Sequence, residues 1–217
     1  MTTGPGASLD HVLLLSPAHC GGRRASALLE PGAASEAAAR LRAGALTLGE
    51  AFAFMSSLYF RGKLAYARAV VSRRGDRAAA YVITPTRGLL SPNASASVAL
   101  LQEFAATDIA AGDTRYRGPL ERDLADLVSR LGPDARVVLL GSIASDKYVD
   151  VLAPALGGRL HYPPSFIGRG DMSRGGLLLR SAASGVELDY APLTALSPRR
   201  GRRAPRLDAS SRTGRVA

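Results

Sequence analysis

The stretch "LLLSPAHCGGRRASALL", Leu13–Leu29, joins a strand-like run to a helix-like one, and its reading decides the fold class. Upstream, His11–Leu15 is a short, continuous apolar run, the pattern of a strand buried on both faces. Downstream, Arg23–Glu30 reads as a helix ended by Pro31-Gly32. The connection, Ser16–Gly22, is polar and holds the only cysteine, Cys20, next to His19.

The same strand-to-helix order recurs along the chain. Ser35 is placed to cap a helix running to Ala43, with Gly44 at its C-terminal end. Thr47-Leu48-Gly49-Glu50 has the spacing of a capping box. From there Leu48, Phe52, Met55, Tyr59, Tyr66 and Val70 follow helical spacing, and a kink is expected at Gly62, near Arg61 and Lys63. Phe54, Leu58 and Leu64 occupy other faces, so this helix reads as largely buried. "AAYVIT", Ala79–Thr84, is the second strand, and Ser97–Ala106 the next helix. Pro119 is read as opening a further helix, in the first-turn position that proline favours, and Gly132-Pro133 as stopping it.

"RVVLL", Arg136–Leu140, is the third strand, followed by a helix over Ser145–Leu152 and a fourth strand at Arg159–Tyr162. "PPSFIGRGDMSRGG" reads as a long loop before a helix near Leu177–Ala183 and a further strand at Val186–Tyr190. Apolar strands alternating with helices predict an α/β fold. The expectation is a three-layer sandwich on a mostly parallel, Rossmann-like sheet of about four or five strands. Residues 1–10 are read as a flexible start, 11–197 as one domain, and 198–217 as a disordered arginine-rich tail.

Apolar residues make up 47% of the 217, which excludes a disordered chain. No apolar run reaches the roughly 18 residues that cross a bilayer, and no secretory layout opens the chain. A cytoplasmic, bacterial-type protein without membrane contact is expected. One cysteine permits neither an internal disulfide nor a multi-cysteine metal site, and no metal or cofactor is expected. The net charge of +10 divides unevenly. Seven arginines and one aspartate in residues 198–217 leave only +4 for the rest. That tail suits nonspecific contact with a phosphate backbone. All basic residues but Lys63 and Lys147 are arginine, which reads as a coding bias and not as a binding surface.

In open, mostly parallel sheets, ligands collect outside the carboxyl ends of the strands. Three loops therefore form one candidate site. In the first, Ser16, Gly21 and Gly22 allow close backbone approach, and a helix start supplies free N–H groups. Arg23 and Arg24 carry the wrong sign for that helix end, a mismatch that a bound anion relieves and solvent screening also softens. The Gly-x-x-x-x-Gly-Lys-Ser/Thr spacing of a P-loop is absent. Cys20 is read as a small buried thiol; a nucleophilic role would need a base such as His19 or His161 beside it. In the second loop, Arg87 suits either a bidentate grip on a carboxylate or phosphate, or a salt bridge to a neighbouring loop, and Gly88 a positive φ. In the third, Gly141 and Ser142 precede a helix start with Ser145, Asp146, Lys147 and Tyr148. Gly168–Gly176 could cradle a phosphate, act as a lid or make a subunit contact.

Two stretches resemble a known grouping. "YVITPTRGLLSP", through Thr84, Gly88, Leu89, Leu90 and Pro92, resembles a strand and turn of small uncharacterised bacterial α/β proteins. "VVLLGSIASDKYVDVLAPAL", through Gly141, Tyr148, Leu152, Pro154 and Leu156, resembles their next strand and helix. Those proteins are distantly similar to the peroxide-stress-resistance family and to domains accompanying tRNA-guanine transglycosylase-like enzymes. Where they carry lysine-tyrosine this chain has Thr86-Arg87, and its glycine-to-tyrosine gap is longer. The resemblance covers roughly residues 80–160 and implies a nucleotide or nucleic-acid connection.

The expected function is binding of a phosphorylated or nucleotide-like ligand. Ser16, Gly21, Gly22, Arg23, Arg24, Arg87, Gly141 and Ser142 would contact it. Catalysis, if present, would be cleavage or transfer at a nucleoside or sugar-phosphate bond. Asp146 or Asp171 would be the acid/base, with Tyr148 orienting or stacking. The alternative is a non-catalytic nucleic-acid-associated protein held by its basic loops and tail.

Overall fold

The structure, a computed structural model, describes residues 8–56 and 58–201. The first strand, β1 (Leu9–Leu15), is buried almost throughout. From Val12 to Leu15, successive residues enter different cores. Val12 and Leu14 join one apolar cluster, Leu13 and Leu15 the other. That division is why the run shows no polar alternation. Two short helices follow, α1 (Arg23–Leu29) and α2 (Glu36–Arg42). Ser35 caps α2 by accepting the Ala38 N–H, and Gly44 has φ +68 just past its end.

The expected long helix is described as two helices, α3 (Leu48–Ser56) and α4 (Leu58–Arg74). The capping box forms as the spacing predicts. The Thr47 N–H donates to Glu50 Oε2 at 2.9 Å, and the Glu50 N–H donates to Thr47 Oγ1 at 3.3 Å. The Thr47 N–H, with Arg40 bound to the same carboxylate, holds the Glu50 carboxyl down to about 2. Thr47→Ala should cost about 1 kcal/mol, read as a lower urea midpoint with an unchanged slope.

The second strand, β2 (Ala78–Ile83), pairs parallel to β1, with Leu15 beside Val82. Gly88, at φ +60, turns the chain into the two-residue strand β3 (Leu89–Leu90), antiparallel to β2. Helix α5 (Val98–Ala105) returns the chain to the core of Leu13 and Leu15. Helix α6 (Thr114–Ser129) starts before the predicted Pro119, because Asp113 accepts the Arg115 N–H and caps it. The third long strand, β4 (Leu131–Leu140), runs parallel to β1 on the side away from β2. It already begins at Leu131, where the sequence suggested a helix stop.

Helix α7 (Asp146–Leu156) leads to β5 (Leu160–Tyr162), parallel to β4. The expected loop before Leu177 is shorter than predicted. Helix α8 (Asp171–Ser184) contains Gly175 and Gly176 within it. A Cβ on Gly175 would stand 2.6 Å from the Leu58 carbonyl oxygen, and one on Gly62 2.6 Å from the Gly175 carbonyl oxygen. These glycines let the α4 and α8 backbones touch, so Gly62 serves a helix crossing. No strand forms at Val186–Tyr190. The last one is instead β6 (Ala191–Pro192), antiparallel to β5.

The result is an α/β fold with eight helices and a mixed, mostly parallel six-stranded sheet, in the order β3-β2-β1-β4-β5-β6, among the described residues. Helices α1–α5 and α8 contribute to the core that holds Leu13, and α6 and α7 to the one that holds Leu14. Both edge strands are short and antiparallel, which the sequence did not indicate. Strand β1 is the switch point: the chain leaves it to β2 on one side and later returns to β4 on the other. β1 begins at Leu9, inside the stretch read as a flexible start. The tail's first residues, 198–201, are described, and its remainder lies outside the described residues.

Candidate functional site at the strand carboxyl ends

A cleft of about 630 Å³ opens beyond the carboxyl ends of β1 and β4. Of the residues singled out in the sequence, Ser16, Gly22, Arg23, Arg24, Ser142, Tyr148 and Asp171 line it. Ser16 is the first residue after β1. Gly141, just after β4, brings that strand end against it: a Cβ there would lie 3.2 Å from the Ser16 hydroxyl. Arg23 and Arg24 open α1, which has no acidic residue in its first turn and no side-chain cap. Lys147 and Tyr148 come from α7, and Asp171 and Arg174 from α8. Met55, Tyr59 and Phe104 supply an apolar wall.

Arg174 is firmly held. Its Nε donates to the Phe166 carbonyl at 3.1 Å, its guanidinium lies 5.7 Å from the Phe166 ring centre, and Asp171 approaches to 3.6 Å. The Arg174 side chain is only 14% exposed, so its charge acts where water screens poorly. Burial pushes the Tyr59 phenol up to about 12 and raises that of Tyr148 as well. Both therefore stand as neutral donors at neutral pH. Burial likewise pushes the Cys20 thiol up to about 12, and its sulfur lies 3.7 Å from the Ala18 carbonyl. This is a small buried thiol, as the sequence suggested. His161 borders a different cavity, with Arg136 and Arg159, and its Nδ1 lies 2.9 Å from the Arg159 carbonyl.

Other candidates lie elsewhere. Arg87 forms a two-point pair with Glu103, at 2.8 and 2.6 Å, which is the salt-bridge alternative. Asp146 is exposed and pairs with Arg199 at 2.6 Å. Gly21 sits against the His19 ring, outside the cleft lining. Ser145 takes the N-cap position of α7, but its hydroxyl makes no cap bond. Gly141 and Ser142 border a second cavity of about 390 Å³, which also includes Arg169, Arg199 and Arg200. Ser142 and Arg174 border both cavities, so the two adjoin.

The residue that sequence reasoning missed is Lys63. It sits within α4, 1% exposed, with Nζ 2.9 Å from the Ser16 hydroxyl and also bonded to the Ser16 carbonyl. The ammonium position lies 4.2 Å from the Tyr59 ring centre and 5.0 Å from that of Phe60. Burial pulls its amine down to about 7. Asp171 opposes that fall, and Arg174 and Lys147 add to it. The available signal was rarity: the chain's two lysines, among 28 basic residues, both stand at this site.

Comparison with known protein families, characterised proteins and solved structures finds no match for this chain.

Proposed function

We propose that the chain binds a phosphorylated, nucleotide-like ligand in the cleft at the strand carboxyl ends. One observation carries this reading. Four cationic side chains from three separate helices, Arg23, Arg24, Lys147 and Arg174, border one cleft against two carboxylates, Asp108 and Asp171. The fold supports it as well. The cleft lies at the switch point of the sheet, and the two cores on alternate strand faces favour a three-layer, Rossmann-like reading. The phosphate would meet Arg23 and Arg24 from α1 together with Lys147 and Arg174, and the apolar wall of Met55, Tyr59 and Phe104 would take the ring. Asp171 is the acid/base candidate at the rim for cleavage or transfer at a sugar-phosphate bond, and the Tyr148 hydroxyl an orienting donor.

The adjoining cavity favours a second reading. Arg169, Arg199 and Arg200 extend the basic lining, which suits a longer polyanion such as single-stranded nucleic acid. Calorimetric titration with nucleoside phosphates and with short oligonucleotides, at two salt concentrations, separates the two. A nucleoside phosphate binding as tightly as an oligonucleotide supports the first reading. Affinity that grows with strand length, with a steep salt slope, supports the second. No heat with either ligand defeats both.

A further inference from the structure

Ser16 and Lys63 form a pair whose chemistry goes beyond ligand binding. Ser16 lines the cleft directly after β1, and Lys63 reaches it from α4 behind the cleft wall. Among the described residues, the hydrogen-bond partners of Lys63 are the Ser16 carbonyl and the Ser16 hydroxyl, with no carboxylate in salt-bridge contact. A neutral amine fits this pocket fully. In the structure Lys63 Nζ donates to both the Ser16 carbonyl and the Ser16 hydroxyl, the latter at 2.9 Å; once neutral, its lone pair can accept the Ser16 O–H across the same distance, with an N–H left facing the Tyr59 and Phe60 rings. An ammonium would turn its third N–H to the Tyr59 and Phe60 faces, a cation–π contact with no carboxylate in salt-bridge range. Two other groups compete for the Ser16 hydroxyl, the Leu140 carbonyl at a longer 3.3 Å and the Tyr148 phenol beside it.

We propose that Ser16 is a nucleophile and Lys63 its general base, acting on a phosphate ester held in the cleft. The substrate class rests on the anion-binding reading; the activated serine rests on the pair itself. In the first step Ser16 Oγ bonds to phosphorus and the phosphorus–oxygen bond to the sugar or nucleoside breaks. The serine proton passes to Lys63 Nζ and then to the departing alkoxide. In the second step water attacks the phosphoserine, the Oγ–phosphorus bond breaks, and the proton from water passes through Lys63 to restore the serine. The products are inorganic phosphate, or a phosphate monoester if the substrate is a diester, and the alcohol. Serine–lysine pairs are an established way to activate a hydroxyl. Arg174 and Lys147 supply positive charge where the transferring phosphoryl group develops its own.

The base must be neutral to act. Asp171 on α8 favours its protonated form, while burial and the charges of Arg174 and Lys147 favour the neutral one. Tyr59 and Tyr148, the phenols nearby, stay neutral through this range because burial raises both.

The test uses the full chain and an alkyl fluorophosphonate, from which an activated serine displaces fluoride. The expected result is a single adduct, mapped by mass spectrometry to Ser16. Its rate should rise with pH and level off above about 7. Ser16→Ala should abolish it, and Lys63→Met and Lys63→Arg should each slow it by roughly a hundredfold or more. The wild-type pH profile keeps the proposal open to refutation even if the lysine variants fold poorly. No adduct at Ser16, a rate independent of pH, or an unchanged rate in folded Lys63→Met overturns it. Inorganic phosphate binding is measured alongside. Phosphate bound without labelling removes the nucleophile and keeps the anion cleft. Labelling without phosphate binding removes the phosphate-ester substrate and with it the anion reading.

Discussion

Phe52→Ala should destabilise the protein by about 3–5 kcal/mol, the range for a buried aromatic truncated to a methyl group. Phe52 is fully buried on α3. Its ring meets Phe60 of α4 edge-on at 5.3 Å and Phe104 of α5 at 6.2 Å. Three helices on one side of the sheet thus share one side chain, and no single neighbour can collapse into the space it leaves. Such edge-to-face pairs add roughly 0.5–1.5 kcal/mol beyond area burial. Urea unfolding of the variant measures the loss. A change under 1 kcal/mol would mean that α3 is peripheral and that the helix core around Tyr59 and Lys63 is not held as described.

The second large effect is a pH dependence. The Lys63 amine titrates near 7 in the folded chain, against 10.5 when free in the unfolded one. Below pH 7 both states hold the proton, so the folded state carries the full cost of a buried charge. Between 7 and 10.5 the unfolded chain keeps a proton that the folded chain has given up, and stability therefore rises with pH. The limiting slope is about 1.4 kcal/mol per pH unit, which amounts to several kcal/mol over the window. Lys63→Met fills a similar volume and cannot titrate there. The wild type should gain stability on the variant steadily from pH 7 to pH 10. The variant should be the more stable near pH 6, less the cost of leaving the Ser16 carbonyl without its donor. Parallel curves for the two proteins would show that Lys63 is charged and solvated in the folded state.

Local chemistry was legible where short-range rules decide structure. β1 announced itself because a strand buried on both faces has no polar alternation, and the box at Thr47 and Glu50 is complete within four residues. Elements set by distant partners were not legible. β3 and β6 are two residues each and exist only because β2 and β5 present edges to them. The first turns of helix α8, before Leu177, were hidden by Gly175, which reads as loop but is needed where α8 meets Leu58 and Tyr59. The site divides the same way. The rule that ligands collect at strand carboxyl ends located Ser16, Ser142 and Tyr148. It also selected Arg87 and Asp146, which Glu103 and Arg199 engage from 16 and 53 residues away. Lys63 escaped because it lies on a helix far in sequence from every loop, and only its rarity among arginines marked it.

The anion cleft is tested most directly by the dissociation constant of a nucleoside phosphate for the double variant Arg23→Ala, Arg24→Ala, with Arg87→Ala as control. Arg23 and Arg24 border the cleft, whereas Arg87 is engaged by Glu103 outside it. The double variant should bind at least tenfold more weakly, about 1.4 kcal/mol, with folding stability unchanged or slightly raised once two cations leave the start of α1. The Arg87 variant should bind as the wild type does. Equal affinity in the double variant, or a loss confined to Arg87→Ala, would contradict an anion site at this end of the sheet.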